Sequence, residues 1–122
     1  MKWIVNLYLV VWLWIVDILL EFVSGGSLRD CLDKFSVFEE RVASLYTRQI
    51  LEALAFLHEK SILHRDLKCA NILIDASGTI KLSDFGCCKK LDKIQKAEDS
   101  QPESIRGSPY WMAPEVDNIG SE

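Results

Sequence analysis

The chain has 122 residues, 49% of them hydrophobic, and its 14 basic and 18 acidic side chains give a net charge of −4. That length suffices for one small domain with a core, while the intermixed charges offer neither a basic face for nucleic acid nor a long acidic run that would argue for disorder. Cys31, Cys69, Cys87 and Cys88 lack zinc-ligand spacing, and the adjacent pair cannot easily close an unstrained disulfide, so a reduced setting, cytosolic or nuclear, is expected and the cytoplasm is favoured.

Residues 3–16 are almost unbroken apolar sequence, interrupted by Asn6 and bounded by Asp17. Three readings stand side by side. Lys2 ahead of the run and the small residues of Val23-Ser24-Gly25 fit a signal peptide or membrane anchor, although Asn6 and Asp17 leave less than the ~20 residues of a comfortable spanning helix. The abundance of Val, Ile, Trp and Tyr fits a pair of buried strands. The third reading is unrelated sequence joined on ahead of Asp17. From Ile18-Leu19-Leu20 the chain reads as an apolar strand that ends at Gly25-Gly26.

Ser27 is placed to cap a short helix over residues 28–35, and Ser36-Val37-Phe38-Glu39 has the form of a capping box for a longer one. In that longer helix Val42, Leu45, Tyr46, Ile50, Ala53, Leu54 and Leu57 recur at three- and four-residue spacing. Glu40, Arg41, Arg48 and Glu52 fall largely elsewhere, so the stripe is read as core. His58 fits the helix end, where a cation complements exposed carbonyls. Beyond it stands His64-Arg65-Asp66-Leu67-Lys68-Cys69-Ala70-Asn71. Two apolar runs, Ile72-Leu73-Ile74 and Ile80-Lys81-Leu82, then flank a Ser77-Gly78 turn and predict a hairpin. Asp84-Phe85-Gly86 comes next, then a charged, serine-bearing stretch, then Gly107-Ser108-Pro109-Tyr110-Trp111-Met112-Ala113-Pro114-Glu115.

Taken singly, His-Arg-Asp is an ordinary helix-end cluster and Asp-Phe-Gly an ordinary turn. Joined in this order, they resemble the catalytic core of eukaryotic protein kinases, and residues 107–115 resemble the end of a kinase activation segment. The resemblance covers about residues 17–116. It implies an α+β fold: an incomplete kinase-like architecture of hinge, upper helical lobe and short β-hairpin. On this reading residues 1–16 are an apolar segment of uncertain origin, 17–116 a partial kinase domain and 117–122 a tail.

Phosphoryl transfer asks for a carboxylate near the acceptor hydroxyl, oxygen ligands for Mg²⁺ and cations near the phosphates. By the resemblance, Asp66 orients or deprotonates the substrate hydroxyl, Lys68 reaches the transferring phosphate, and Asn71 and Asp84 hold Mg²⁺, so that Asp66, Lys68 and Asn71 form the catalytic set. The Glu21 carbonyl and Val23 amide are expected to face adenine with Leu20 behind it as gatekeeper, and Leu73 and Asp84 complete the cofactor-binding positions. The hairpin is expected to present Asn71 and Asp84 side by side. The same resemblance packs His64 beneath Phe85, brings Ser108 to Asp66 and Lys68, and suits Arg65 to a phosphate on Ser100 or Ser104.

Lys68 looks like serine/threonine kinases, and Glu21-Phe22-Val23-Ser24-Gly25-Gly26-Ser27-Leu28 together with residues 107–115 resembles mitogen-activated protein kinase kinase kinases, particularly the plant group. Family members usually carry threonine at the position of Ser108, which keeps a hydroxyl, and small residues at Cys87 and Cys88, which leaves the metal ligand untouched. The sequence contains neither Gly-x-Gly-x-x-Gly nor Val-Ala-Ile-Lys, and a complete kinase domain is roughly twice this length. The expectation is therefore a serine/threonine kinase of this type that transfers the ATP γ-phosphate to protein, present as a truncated chain inactive by itself. Its cofactors would be ATP and Mg²⁺, and its protein substrate a downstream MAP kinase kinase. Nucleic acid is not expected as a partner, and residues 3–16 leave a membrane open. The alternative is a catalytically silent, kinase-derived interaction module.

Overall fold

The computed structural model describes residues 3–12, 15–91 and 107–117. The β-branched and aromatic run near the start forms a ribbon. Strand β1 (Leu7–Trp12) pairs antiparallel with β2 (Ile15–Leu20), from Leu7 opposite Leu20 to Trp12 opposite Ile15. The strands form, but not as buried ones: Tyr8, Leu9, Ile18, Leu19 and Leu20 are all exposed. Successive side chains of a strand face opposite sides, so exposure at both Leu19 and Leu20 leaves this part of the ribbon bare on both faces. Among the described residues no helix is long and apolar enough to cross a membrane.

Helix α1 (Leu28–Phe35) starts where its cap dictates. Asp30 N donates to Ser27 Oγ at 3.1 Å, and Ser27 N donates to Asp30 Oδ2 at 2.8 Å, a reciprocal box that satisfies two otherwise orphaned donors. The second capping box read from the sequence does not form. Ser36 takes a positive φ (66°, ψ −45°) in a tight turn in which Val37 N donates to Phe35 O at 2.8 Å, and its own N–H returns to the Leu32 carbonyl, so it closes α1 instead of opening the next helix. Helix α2 (Glu40–Glu59) begins after Glu39 with no side-chain cap. One serine cannot hold the extended backbone of an N-cap and the positive φ of this helix end together.

Along α2 the apolar stripe turns Ala53 and Leu57 fully inward, with Tyr46, Ile50 and Leu54 packed against them. Leu45 departs from the expected stripe and is 54% exposed. At 100° per residue it lies about 120° around the helix from Leu57, outside the face that the neighbouring elements cover. His58 is exposed in the last turn.

A two-residue strand, β3 (Ile62–Leu63), leads into the 64–68 loop, and a single 3₁₀ turn (Cys69–Asn71) delivers the chain to β4 (Ile72–Ile74). Strand β4 pairs antiparallel with β5 (Ile80–Leu82) in the predicted hairpin. Its alternation is strict: Ile72, Ile74, Ile80 and Leu82 are buried against Leu28, Ala53 and Leu57. The turn is closed by the Asp75 carboxylate, which accepts from the amides of Ser77 (2.8 Å) and Thr79 (3.0 Å). Helix α2 grips the same turn through Gln49, whose Nε2 donates to Gly78 O and whose Oε1 accepts from Ile80 N. Ahead of the ribbon, residues 3–5 lie beside β5, with Leu82 N donating to Trp3 O at 2.8 Å and Val5 N to Leu82 O at 3.1 Å. Strand β6 (Lys89–Lys90) pairs with β3, and a short helix α3 (Pro114–Asp117) ends the described residues. The architecture is mixed helix and strand, with the hairpin docked on α1 and α2.

Candidate functional site

The loop between β3 and the 3₁₀ turn carries an unusual backbone. Arg65 has φ 64° and Asp84, beyond the hairpin, φ 58°. The left-handed region is tolerated by aspartate, but for a long side chain such as arginine it costs on the order of 1–3 kcal/mol, which the surrounding contacts must offset. Those contacts are present: Arg65 Nε donates to the Cys87 carbonyl at 2.7 Å. A Cβ on Gly107 (φ 128°) would lie 2.4 Å from Arg65 O, so only glycine permits the 107–108 segment to approach this closely.

Asp66, 8% exposed, is the centre of a polar cluster. Lys68 Nζ lies 3.0 Å from its Oδ2 and donates to Ser108 Oγ at 2.7 Å. Asn71 Nδ2 donates to Asp66 O (2.9 Å) and Oδ2 (3.0 Å). Both are acceptors, which assigns the amide orientation and leaves Asn71 Oδ1 as an acceptor for another ligand. The Ser108 hydroxyl foremost, then Lys68 and Asn71, hold the Asp66 carboxyl below its ordinary value, and burial opposes them. Oδ1 is itself buried and makes no hydrogen bond. A buried carboxylate oxygen without a donor is suited to receive one, such as an incoming hydroxyl.

The hairpin register brings in Asp84. Ser83 N and Oγ both donate to Asn71 O, at 2.9 and 3.0 Å, which sets the residue before Asp84 against Asn71. Asp84 is exposed, and its Oδ1 accepts from Gly86 N at 3.3 Å. His64, 3% exposed, bonds Ser83 O through Nε2 at 3.0 Å and packs against Phe85 with ring centroids 5.0 Å apart and the rings tilted by 56°. Its place is structural. Among the described residues no group of three or more His, Cys, Asp or Glu is arranged to hold a metal. Mg²⁺ needs only one or two protein oxygens besides substrate phosphates, and an amide oxygen with a carboxylate is that donor set. Ser100 and Ser104, the candidate phosphorylation sites, lie outside the described residues.

Residues 20–26 pass over the hairpin. Gly25 N donates to Ile74 O at 2.9 Å and Ile74 N to Gly26 O at 2.8 Å, while Ser27 bridges to Leu73, so Leu73 lies beneath the turn. A Cβ on Gly25 would fall 2.3 Å from Ile74 O. Among the described residues no backbone group engages the Glu21 carbonyl or the Val23 amide. Leu20 is exposed at the end of β2. Two partners of Glu21 escaped sequence reasoning: its carboxylate pairs with Lys81 and accepts from Asn6 Nδ2 at 2.7 Å. The structure thus joins Asp66, Lys68, Asn71 and Ser108 directly, places Asp84 next to them in register, and holds Glu21, Val23 and Leu73 at the turn above.

The protein kinase domain family model matches residues 7–120, a span that opens at the first residue of β1 and ahead of residue 17, where the motifs by themselves begin the resemblance. Over 101 residues, 83% of the chain, identity is 54% to mitogen-activated protein kinase kinase kinase A of Dictyostelium discoideum. Over the same length it is 52% to mitogen-activated protein kinase kinase kinase 2 of Arabidopsis thaliana and 52% to mitogen-activated protein kinase kinase kinase mkh1 of Cytospora mali. The chain spans only 10%, 15% and 5% of the lengths of these relatives, respectively. Near-equal identity to amoeboid, plant and fungal proteins singles out none of these lineages. With a family match running through the loop, the hairpin and the 107–115 segment, the chain belongs to the protein kinase domain family.

Proposed function

We propose that this chain carries the lower part of a nucleotide and catalytic site of a serine/threonine kinase of the MAP kinase kinase kinase type, which phosphorylates a downstream MAP kinase kinase in the cytoplasm. The observation that carries the reading is the convergence of Lys68, Asn71 and Ser108 on the buried carboxylate of Asp66, whose Oδ1 lacks a donor. Asp66 orients the substrate hydroxyl and accepts its proton at that oxygen. Lys68, oriented by Asp66 and Ser108, offsets negative charge on the transferring phosphoryl group. Asn71 Oδ1 and the Asp84 carboxylate would hold Mg²⁺, which when bound neutralises phosphate charge. The unengaged Glu21 carbonyl and Val23 amide supply an acceptor and a donor for the adenine edge, above Leu73.

The 122 residues by themselves contain no glycine-rich loop and no Val-Ala-Ile-Lys lysine, so orientation and charge on the upper side of the phosphates are missing from them and transfer by this chain alone is negligible. Calorimetric titration of the chain with Mg²⁺-ATP is expected to give saturable binding that weakens by at least about tenfold, ~1.4 kcal/mol, in Asp84→Asn. Radiolabel transfer to a basic protein is expected to stay at the level of a no-enzyme control. Measurable transfer would overturn the inactivity of the isolated chain. No saturable binding would favour the second reading, a silent interaction module, for which the exposed apolar side chains of the ribbon and Phe22, 89% exposed, are the supporting observation.

A further inference from the structure

The pairing of Glu21 with Lys81 links residues 60 positions apart, and nothing in the motifs of the site requires it. Lys81 is only 12% exposed and Glu21 29%. A lysine that far out of water needs a carboxylate, since an unpaired buried ammonium is strongly disfavoured. Glu21 is held from a second side by Asn6, whose Nδ2 and N both donate to Oε2, at 2.7 and 3.2 Å, while Glu21 N donates to Asn6 O at 2.9 Å. Lys81 and Asn6 together keep the Glu21 carboxyl below the ordinary carboxylate range.

The position of Lys81 gives this clamp its meaning. It lies between the buried Ile80 and Leu82, so its side chain leaves the hairpin on the face away from the core, and its cross-strand partner is Leu73. Asp84 comes only two residues after Leu82, the end of the same strand. Among the described residues, the backbone of the segment after Glu21 is next pinned to the hairpin at Gly25 and Gly26, through Ile74. The unengaged Glu21 carbonyl and Val23 amide therefore sit between two anchors on the same hairpin.

We propose that Lys81 and Asn6 are positioning residues of the nucleotide site: by gripping the Glu21 carboxylate from two sides they fix the backbone of residues 21–23 to β5, the strand that runs into Asp84. The role rests on the nucleotide reading given above. It couples the distance between the adenine-facing groups and the metal-facing carboxylate to one ion pair.

Hydrogen exchange of the whole 122-residue chain, read by mass spectrometry, tests the clamp without any ligand. In Lys81→Met, amides of residues 20–24 are expected to exchange about tenfold faster, with α2 and the hairpin unchanged, because only the local opening equilibrium shifts. Lys81→Arg keeps the pair and restores slow exchange; Asn6→Ala, a milder change, gives a smaller rise in the same peptide. The second readout separates the two ends of the nucleotide. Adenosine binding is expected to weaken about tenfold in Lys81→Met while binding of Mg²⁺-tripolyphosphate is unchanged, since the loss is one of hinge preorganisation. Exchange that rises uniformly, or not at all at residues 20–24, overturns the clamp, as does an equal loss for both probes. An unsubstituted chain that binds no adenosine removes the underlying nucleotide reading instead. Adenosine affinity and exchange both indifferent to Lys81→Met remove the positioning role alone.

Discussion

Asn71 directs its amide hydrogens at Asp66, the two residues being 6% and 8% exposed respectively, so a change there is felt as lost polar satisfaction. Asn71→Ala strips a donor from the Asp66 carbonyl and from Oδ2, beside an Oδ1 that already lacks one, and is expected to lower unfolding free energy in urea by ~1–3 kcal/mol. The carboxyls make a second prediction. Asp66 sits below its ordinary 3.8 because of Ser108, Lys68 and Asn71, and Glu21 below its ordinary 4.5 because of Lys81 and Asn6. A group whose pKa is lowered by folding contributes stability that is present above the unfolded value and is lost as pH falls through the folded one. Unfolding free energy measured from about pH 6 down to about pH 2 is therefore expected to fall with acid below the ordinary carboxyl values, and Asp66→Asn to flatten that limb. A steeper limb in the variant would contradict the assignment. The identities of Asp66, Lys68, Asn71 and Asp84 as candidates were legible in the motif order. The resemblance also brought Ser108 to Lys68, 40 positions away, and that contact is present; the two hydrogen bonds from Asn71 Nδ2 to Asp66 were not legible.

Local hydrogen-bond patterns account for what was legible among the elements. Helix α1 runs from Leu28 to Phe35 as expected because its cap is written within four residues, and Ser27→Ala is expected to cost ~1 kcal/mol in thermal or urea unfolding. The hairpin was legible for the same reason, through its strict alternation and a turn that Asp75 closes from within. The Ser36–Glu39 pattern misled because a serine before an acidic residue fits a start, whereas the chain ends α1 in a positive-φ turn at that very position. The Gly25–Gly26 turn combines both cases. A break was readable; that Gly25 is pressed against Ile74 O was not. Gly25→Ala forces the turn off β4 and breaks the paired bonds to Ile74, so the expected outcome is faster hydrogen exchange at Ile74 together with a lower unfolding midpoint.

At the scale of the whole molecule, helices α1 and α2 cover one face of the β4–β5 hairpin, while the exposed side chains of the β1–β2 ribbon stay bare on both faces. Two strands with uncovered apolar faces and open edges are a surface for association. The chain by itself is expected to show a mass that rises with concentration in sedimentation. Leu9→Lys combined with Ile18→Glu, which face each other across the strands, should suppress that rise while preserving the pair as an ion pair; an unchanged rise would place the association elsewhere. The sequence by itself determined the order and spacing of the motifs, the hairpin alternation, the α1 cap and the apolar stripe of α2, because each is set by contacts between residues a few positions apart. Only the tertiary structure decided that Leu45 stays outside, that Asn71 turns its amide hydrogens on Asp66, and that Lys81 and Asn6 converge on Glu21. Periodicity names the face that a side chain occupies, but its partner depends on how the elements dock, and that packing brings distant residues together without leaving a local pattern.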